Sequence, residues 1–163
     1  MNIAVIFISA LIPLLVGFIW YHPKVFGTSW MKAAGLTEED GKNANMPLIF
    51  GLTYVFSVML ALIFQTLVIH QSHLQSLFFL QPIHDHSTEA GALYKNIMDQ
   101  YGDSYRTLKH GAFHGTIAGV FIALPLVAIN ALFERKNFKY IAVNSGYWIL
   151  SFALMGAAVC AFL

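Results

Sequence analysis

The sequence predicts an all-α fold, an integral membrane four-helix bundle with a short amphipathic interfacial helix in its second connection. Three observations lead there. The 163 residues are 58% hydrophobic and only 10% charged, whereas a soluble domain carries about 25% charged residues. Four stretches, Ile3–Tyr21, Met46–His70, Leu108–Phe133 and Tyr140–Leu163, are apolar and long enough to span about 30 Å of hydrocarbon, which takes ~20 helical residues. Between the second and third, Ala90, Leu93, Tyr94, Ile97, Met98 and Tyr101 recur at the three-and-four spacing of one helical face, with a polar face opposite. All of this reads as one transmembrane domain over residues 1–163.

The first span has no basic n-region and no A-x-A-like cleavage site, and it ends in the anchor pair Trp20-Tyr21. It is expected to be a retained span rather than a signal peptide. Pro13 and Pro125 fall inside spans, where neighbouring helices re-satisfy freed backbone groups. In the first connection, Thr28 or Ser29 is placed to cap a short helix that stops at Gly35, and Thr37 with Asp40 forms a capping pair for a second turn. Trp20, Tyr21, Phe26 and Trp30 gather at one boundary as an aromatic belt, with ligand stacking as the alternative. Trp20, Tyr21, Trp30 and Trp148 are read as interface anchors. "LQSLFFLQP" extends the second helix to Pro82. Ser87 or Thr88 then caps the interfacial helix over about 88–101, Glu89 favours its first turn and Gly102 ends it.

Orientation follows from the basic residues. Lys24, Lys32 and Lys42 lie in the first connection and Arg135, Lys136 and Lys139 in the third. The second connection sets Lys95, Arg106 and Lys109 against Asp85, Glu89, Asp99 and Asp103. The positive-inside rule puts the first and third connections in the cytoplasm, and both termini and the second connection in the periplasm of a bacterial inner membrane. Aligning Pro13 with Pro125 also matches Leu14 to Leu126, Lys24 to Lys136 and Phe26 to Phe138, a faint duplication on which nothing rests.

Small residues recur every fourth position along two spans: Gly111, Gly115 and Gly119, continued by Ala123, and Ala153, Ala157 and Ala161 beside Gly156 and Cys160. Such rows let helix backbones approach closely, so both faces are expected in helix contacts within or between protomers. His110 and His114 lie one turn apart, each just before a glycine of the row, and His70 and His73 are a similar pair at the end of the second span. Both pairs count to the same membrane surface, with His84, Asp85 and His86 in the loop between them.

Three main readings compete for the histidines, with a proton-linked role behind them. They hydrogen-bond to loop backbone, water or acids such as Asp99 and Asp103. Alternatively, His70, His73, His110 and His114 form a transition-metal site suited to zinc or copper. In the third reading, haem is held between one histidine of each pair. Asn130 and Asn144 are expected to hydrogen-bond between helices. There is no H-E-x-x-H, no nucleotide loop and no nucleophile–base constellation, so nothing speaks for catalysis. A net charge of +1 with no basic stripe excludes a nucleic-acid partner. The single cysteine, Cys160, excludes an internal disulfide framework.

"GFIWYHPKVFGTSWMKAAGLTEED", "ALFERKNFKY" and "NSGYWILSFALMGA" resemble the domain-of-unknown-function family 1761 of small bacterial membrane proteins. The resemblance rests on W-Y-x-P-x-x-F-G-x-x-W and a late G-Y-W, and it covers the first span with its loop and the last two spans. It implies a four-helix inner-membrane protein and supplies no activity, substrate or catalytic residue. The expected function is therefore a non-enzymatic oligomeric or accessory subunit of a membrane complex. Its partners would be the lipid bilayer, itself or other membrane subunits. The alternative is a periplasmic-face metal- or haem-binding protein, and the third reading is a small-solute transporter. On this topology, cysteines introduced as Lys136→Cys and Asp99→Cys are expected to react with impermeant reagents from opposite faces. Labelling of Asp99→Cys from the cytoplasm would reverse the orientation.

Overall fold

The computed structural model describes residues 2–163, leaving aside the side chain of Glu38. Every regular element among the described residues is helical. In chain order they are α1 (Ala4–Trp20), α2 (Pro23–Ala34), α3 (Glu38–Lys42), α4 (Met46–Val68), α5 (His70–Leu77), α6 (Glu89–Tyr101), α7 (Leu108–Phe133) and α8 (Phe138–Phe162). α4, α7 and α8 are each long and apolar enough to cross a membrane. The expected first span differs from these: α1 and α2 form a pair bent by 57°, and a fourth crossing exists only if the pair counts as one span.

The bend has a local cause. A residue before proline is pushed out of the helical region, and His22 accordingly takes ψ 139° ahead of Pro23. The chain re-enters through a wide π-type turn over Pro23–Gly27, in which Gly27 N–H donates to His22 O (3.0 Å). Here only glycine fits, because a Cβ on Gly27 would lie 2.1 Å from Tyr21 O. α2 continues out of that turn, and its side-chain cap is His22, whose Nδ1 accepts from Lys24 N–H (3.2 Å). Thr28, expected as a cap, instead donates its hydroxyl to Pro23 O (3.1 Å). Gly35, at φ 78°, ends α2 in the left-handed region as expected. Lys136 Nζ donates to Ala34 O (2.7 Å), which ties the third connection to the first. Thr37 and Asp40 form the expected capping box of α3, and the hydrogen bonds from Thr37 hold the Asp40 carboxyl below the usual carboxylate range.

The two span prolines loosen their helices without stopping them. A proline ring clashes with the carbonyl four residues back. Ahead of Pro13, α1 is interrupted by a turn between the helical runs Ala4–Ser9 and Ile12–Trp20. Ahead of Pro125, α7 widens to π geometry over Gly119–Ala123, which relieves the same clash by inserting an extra residue.

α8 is the central helix: 44% of its most apolar stretch is buried, against 17% for α4 and 22% for α7. Phe64 and Val68 of α4 pack on Met155, Val159 and Cys160 of α8, and Ile6 of α1 joins them. Phe64 and Phe152 meet edge to face at 4.9 Å. Tyr147 reaches across to donate to Pro13 O (3.0 Å). The closest approach is between α7 and α8. A Cβ on Gly111 would lie 2.2 Å from Gly156 O, and one on Gly115 2.1 Å from Phe152 O. On α8 the contact is made by Ile149, Phe152, Gly156 and Cys160, with Ala153 at its edge and Ala157 and Ala161 half-buried beside it.

Gly115→Leu is expected to force these backbones apart, at a cost of about 1–3 kcal/mol or more. Leu124→Ala removes a side chain that is 37% exposed and should cost less. Thermal midpoints of the two variants in detergent give the comparison, and equal midpoints would mean that the glycine is not confined.

Candidate functional site

α4 stops at Val68, and Ile69 takes an extended conformation (φ −110°, ψ 106°) before α5 begins at His70. The second helix is therefore broken where a continuous extension to Pro82 was expected. Neither glycine nor proline marks the place; its partners are tertiary. The Cys160 thiol lies 3.4 Å from Val68 O, a carbonyl that the break leaves free. Ser72 Oγ donates to Gln65 O (3.1 Å) from the far side of the break. His70 thus stands at the start of a redirected helix, turned toward the beginning of α7.

α7 starts at Leu108, where Thr107 Oγ accepts from His110 N–H (3.2 Å) in an N-cap. His110 and His114 are one turn apart and flank Gly111, so the α7–α8 contact fixes the direction from which they project. His70 meets both. Ring centroids are 4.9 Å apart for His70–His110, 5.2 Å for His70–His114 and 4.5 Å for His110–His114. The Nε2 atoms of His70 and His110 are 2.9 Å apart, one donating to the other. One ring nitrogen from each of the three lies within 4.8 Å of the others. His70 is exposed, and His110 and His114 are half-buried.

Tyr105 completes the surroundings. Its ring lies 5.1 Å from that of His110 and 5.8 Å from that of His70. Its backbone sits at φ 63°, a left-handed conformation costing roughly 1–3 kcal/mol in a non-glycine residue. Thr107 N–H donates to Tyr105 O (2.8 Å), and the Cys160 thiol lies 3.3 Å from the same oxygen. Thr107 could have been read as a cap from its position before the apolar run. Nothing in the sequence announced Tyr105.

His73, expected with the other three, is exposed and outside the group. Three residues carry it about 4.5 Å further along α5. His84 and His86 are also apart from the group. Asp99 pairs with Lys95 rather than with a histidine.

The distances can be tested against an ion. Zinc–nitrogen bonds of about 2.0–2.1 Å in a tetrahedron put ligand nitrogens ~3.3 Å apart. The 2.9 Å pair would therefore open by a few tenths of an ångström, and the wider pairs would close by rotation of exposed or half-buried rings. Three neutral imidazoles leave a fourth position free, and this donor set suits zinc or copper(II).

At the other end, Trp20 and Tyr21 join the bent α1–α2 pair to α8. Trp20 Nε1 donates to Val143 O (3.0 Å) and Tyr21 Oη to Asn144 Oδ1 (2.9 Å). The Tyr21 ring packs on Trp30 at 5.0 Å and on Tyr147 at 5.2 Å. Trp148 stands inside α8 rather than at its end and packs on Phe152 at 5.5 Å. Asn130, with Glu134 and Asn144, lines a shallow cavity of about 210 Å³.

No curated protein and no solved structure gives a significant match. A family model does match, over residues 4–160, and so takes in the second connection and the four histidines together with the terminal motifs. The chain belongs to the family described as "Protein of unknown function (DUF1761)".

Proposed function

We propose that this protein is a multi-pass membrane protein that holds one divalent transition-metal ion through His70, His110 and His114. The observation that carries the reading is the convergence of three imidazole nitrogens within 4.8 Å, supplied by two helices distant in sequence. Imidazoles with no carboxylate or thiolate among them suit Zn²⁺ or Cu²⁺. The Cys160 sulfur is turned to two carbonyls, so the soft ligand that would favour Cu⁺ is missing from the set. The 2.9 Å contact between His70 and His110 favours an ion over haem, because a macrocycle needs its axial imidazoles on opposite faces.

Loop charges support a periplasmic position for this end in a bacterial inner membrane. No nucleophile–base pair adjoins the imidazoles. In this reading the protein holds or hands on the ion, as an oligomer or as an accessory subunit of a membrane complex.

The test is titration of untagged, detergent-purified protein with Co²⁺, followed by competition with Zn²⁺. One ion per chain is expected. His110→Ala and His114→Ala should each weaken binding at least about tenfold, or ~1.4 kcal/mol, while His73→Ala leaves it unchanged. Chelation should lower the thermal midpoint of the wild type and not of His114→Ala. Binding by both α7 variants at wild-type strength would overturn the reading.

A further inference from the structure

A second feature lies on the other side of the same joint. The end of α4, the start of α5, α6, Arg106 and Leu163 line a half-open cavity of about 430 Å³, within the ~300–1,000 Å³ range of small-molecule sites. Arg106 is the one charged side chain among its lining residues. The guanidinium is held from behind: its Nε donates to Cys160 O (2.7 Å). Its two terminal nitrogens make no hydrogen bond or ion pair with the described residues. Gln65, Gln75 and Tyr94 add further side-chain donors to the wall. Gln71, by contrast, spends both hydrogens of its amide nitrogen on Tyr101 O (2.8 Å) and Ser104 O (3.0 Å), which ties the end of α6 to α5 and leaves its buried Oε1 without a partner among the described residues.

We propose that this cavity binds a phosphate group, with Arg106 as its anchor. A guanidinium with both terminal nitrogens free presents the planar fork that matches phosphate oxygens, and the surrounding amide and phenol donors suit the remaining oxygens. The cavity lies where α4 leaves its apolar run, so a phosphate there sits at headgroup height. Ile69 and Met98 supply an apolar side to the same cavity, which fits the glycerol and first acyl carbons of a membrane phospholipid. Free inorganic phosphate shares the recognised chemistry and is the other source. The inference is independent of the metal reading and rests only on α4 crossing a membrane.

Native mass spectrometry of detergent-solubilised protein with added dioleoylphosphatidylglycerol tests it, with dioleoylglycerol as the phosphate-free control. One phosphatidylglycerol per chain is expected, and no dioleoylglycerol. Arg106→Gln should reduce the bound fraction about tenfold, the loss expected for a charge-assisted hydrogen bond. The double variant Gln75→Leu/Tyr94→Phe spares the Cys160 contact and should also reduce it, deciding the matter if Arg106→Gln does not fold. Displacement of the lipid by millimolar inorganic phosphate would assign the site to phosphate from either source. Lack of displacement would assign it to the lipid. Equal retention of phosphatidylglycerol and dioleoylglycerol, or wild-type retention by the folded variants, overturns the proposal. A failed membrane reading shows itself separately, as protein that stays soluble without detergent.

Discussion

The close approach of α7 and α8 at Gly111, Gly115 and Gly156 is the constraint on which the rest of the structure depends. Lipid tails are as apolar as leucine, so helices in a membrane gain little from burying apolar surface against one another and associate through close packing. Here the packing is at its limit: added Cβ atoms at these glycines would fall 2.1–2.4 Å from backbone oxygens of the opposite helix. This distance fixes more than two helices. It brings Cys160 against Gly111, and Cys160 then makes three contacts with two separate segments. Its thiol lies against Val68 O at the break and Tyr105 O before α7, and its carbonyl receives Arg106.

Two locally unfavourable features follow from that arrangement and are held by it. The break at Ile69 frees carbonyls at the end of a long apolar helix, where an unsatisfied group is costly. The left-handed Tyr105 adds backbone strain. Both lie within hydrogen-bond reach of one sulfur, and both direct a ring at the same place. With α4 unbroken, His70 would continue along the α4 axis instead of facing His110. With Tyr105 relaxed, the chain would enter α7 from another direction and the Thr107 cap would be lost. The histidine arrangement is thus a consequence of helix packing.

The parts of this fold that were legible in the sequence are those with short-range causes. α4, α7 and α8 follow from runs of apolar residues, the turns at Gly35 and Thr37 from local backbone chemistry, and the close helix contact from glycines at every fourth position. The equal height of His70, His110 and His114 came from counting residues. What escaped has long-range causes. The break at Ile69 lies in a run with no glycine or proline and is held by a cysteine ninety-two residues away. The α8 face that meets α7 runs through Ile149, Phe152, Gly156 and Cys160, because the partner glycines select where a backbone can enter, and of the alanine row only Ala153 comes within reach of them. His73 has the spacing of a ligand partner to His70, but spacing along α5 says nothing about where α7 ends. The bend after α1 was the exception, since His22-Pro23 carried its signal in plain view.

The same joint also explains why the imidazole group and the Arg106 cavity sit so close together. His70 and Gln71 are neighbours at the start of α5, and Tyr105 and Arg106 are neighbours before α7. In each pair the first residue belongs to the imidazole side and the second lines the cavity behind it. Adjacent side chains leave the backbone in different directions, so one short crossing of two chain segments divides into two faces. The segments are held together by Cys160 and by the hydrogen bonds of Gln71 to the end of α6. An ion drawing His70 toward α7 would therefore pull on the helix that carries Gln71 and Gln75. A phosphate held by Arg106 would stiffen the strained turn that carries Tyr105. The break at Ile69 and the turn at Tyr105 both rest against the Cys160 thiol, which lies 3.4 Å from Val68 O and 3.3 Å from Tyr105 O, so the two faces share one point of support.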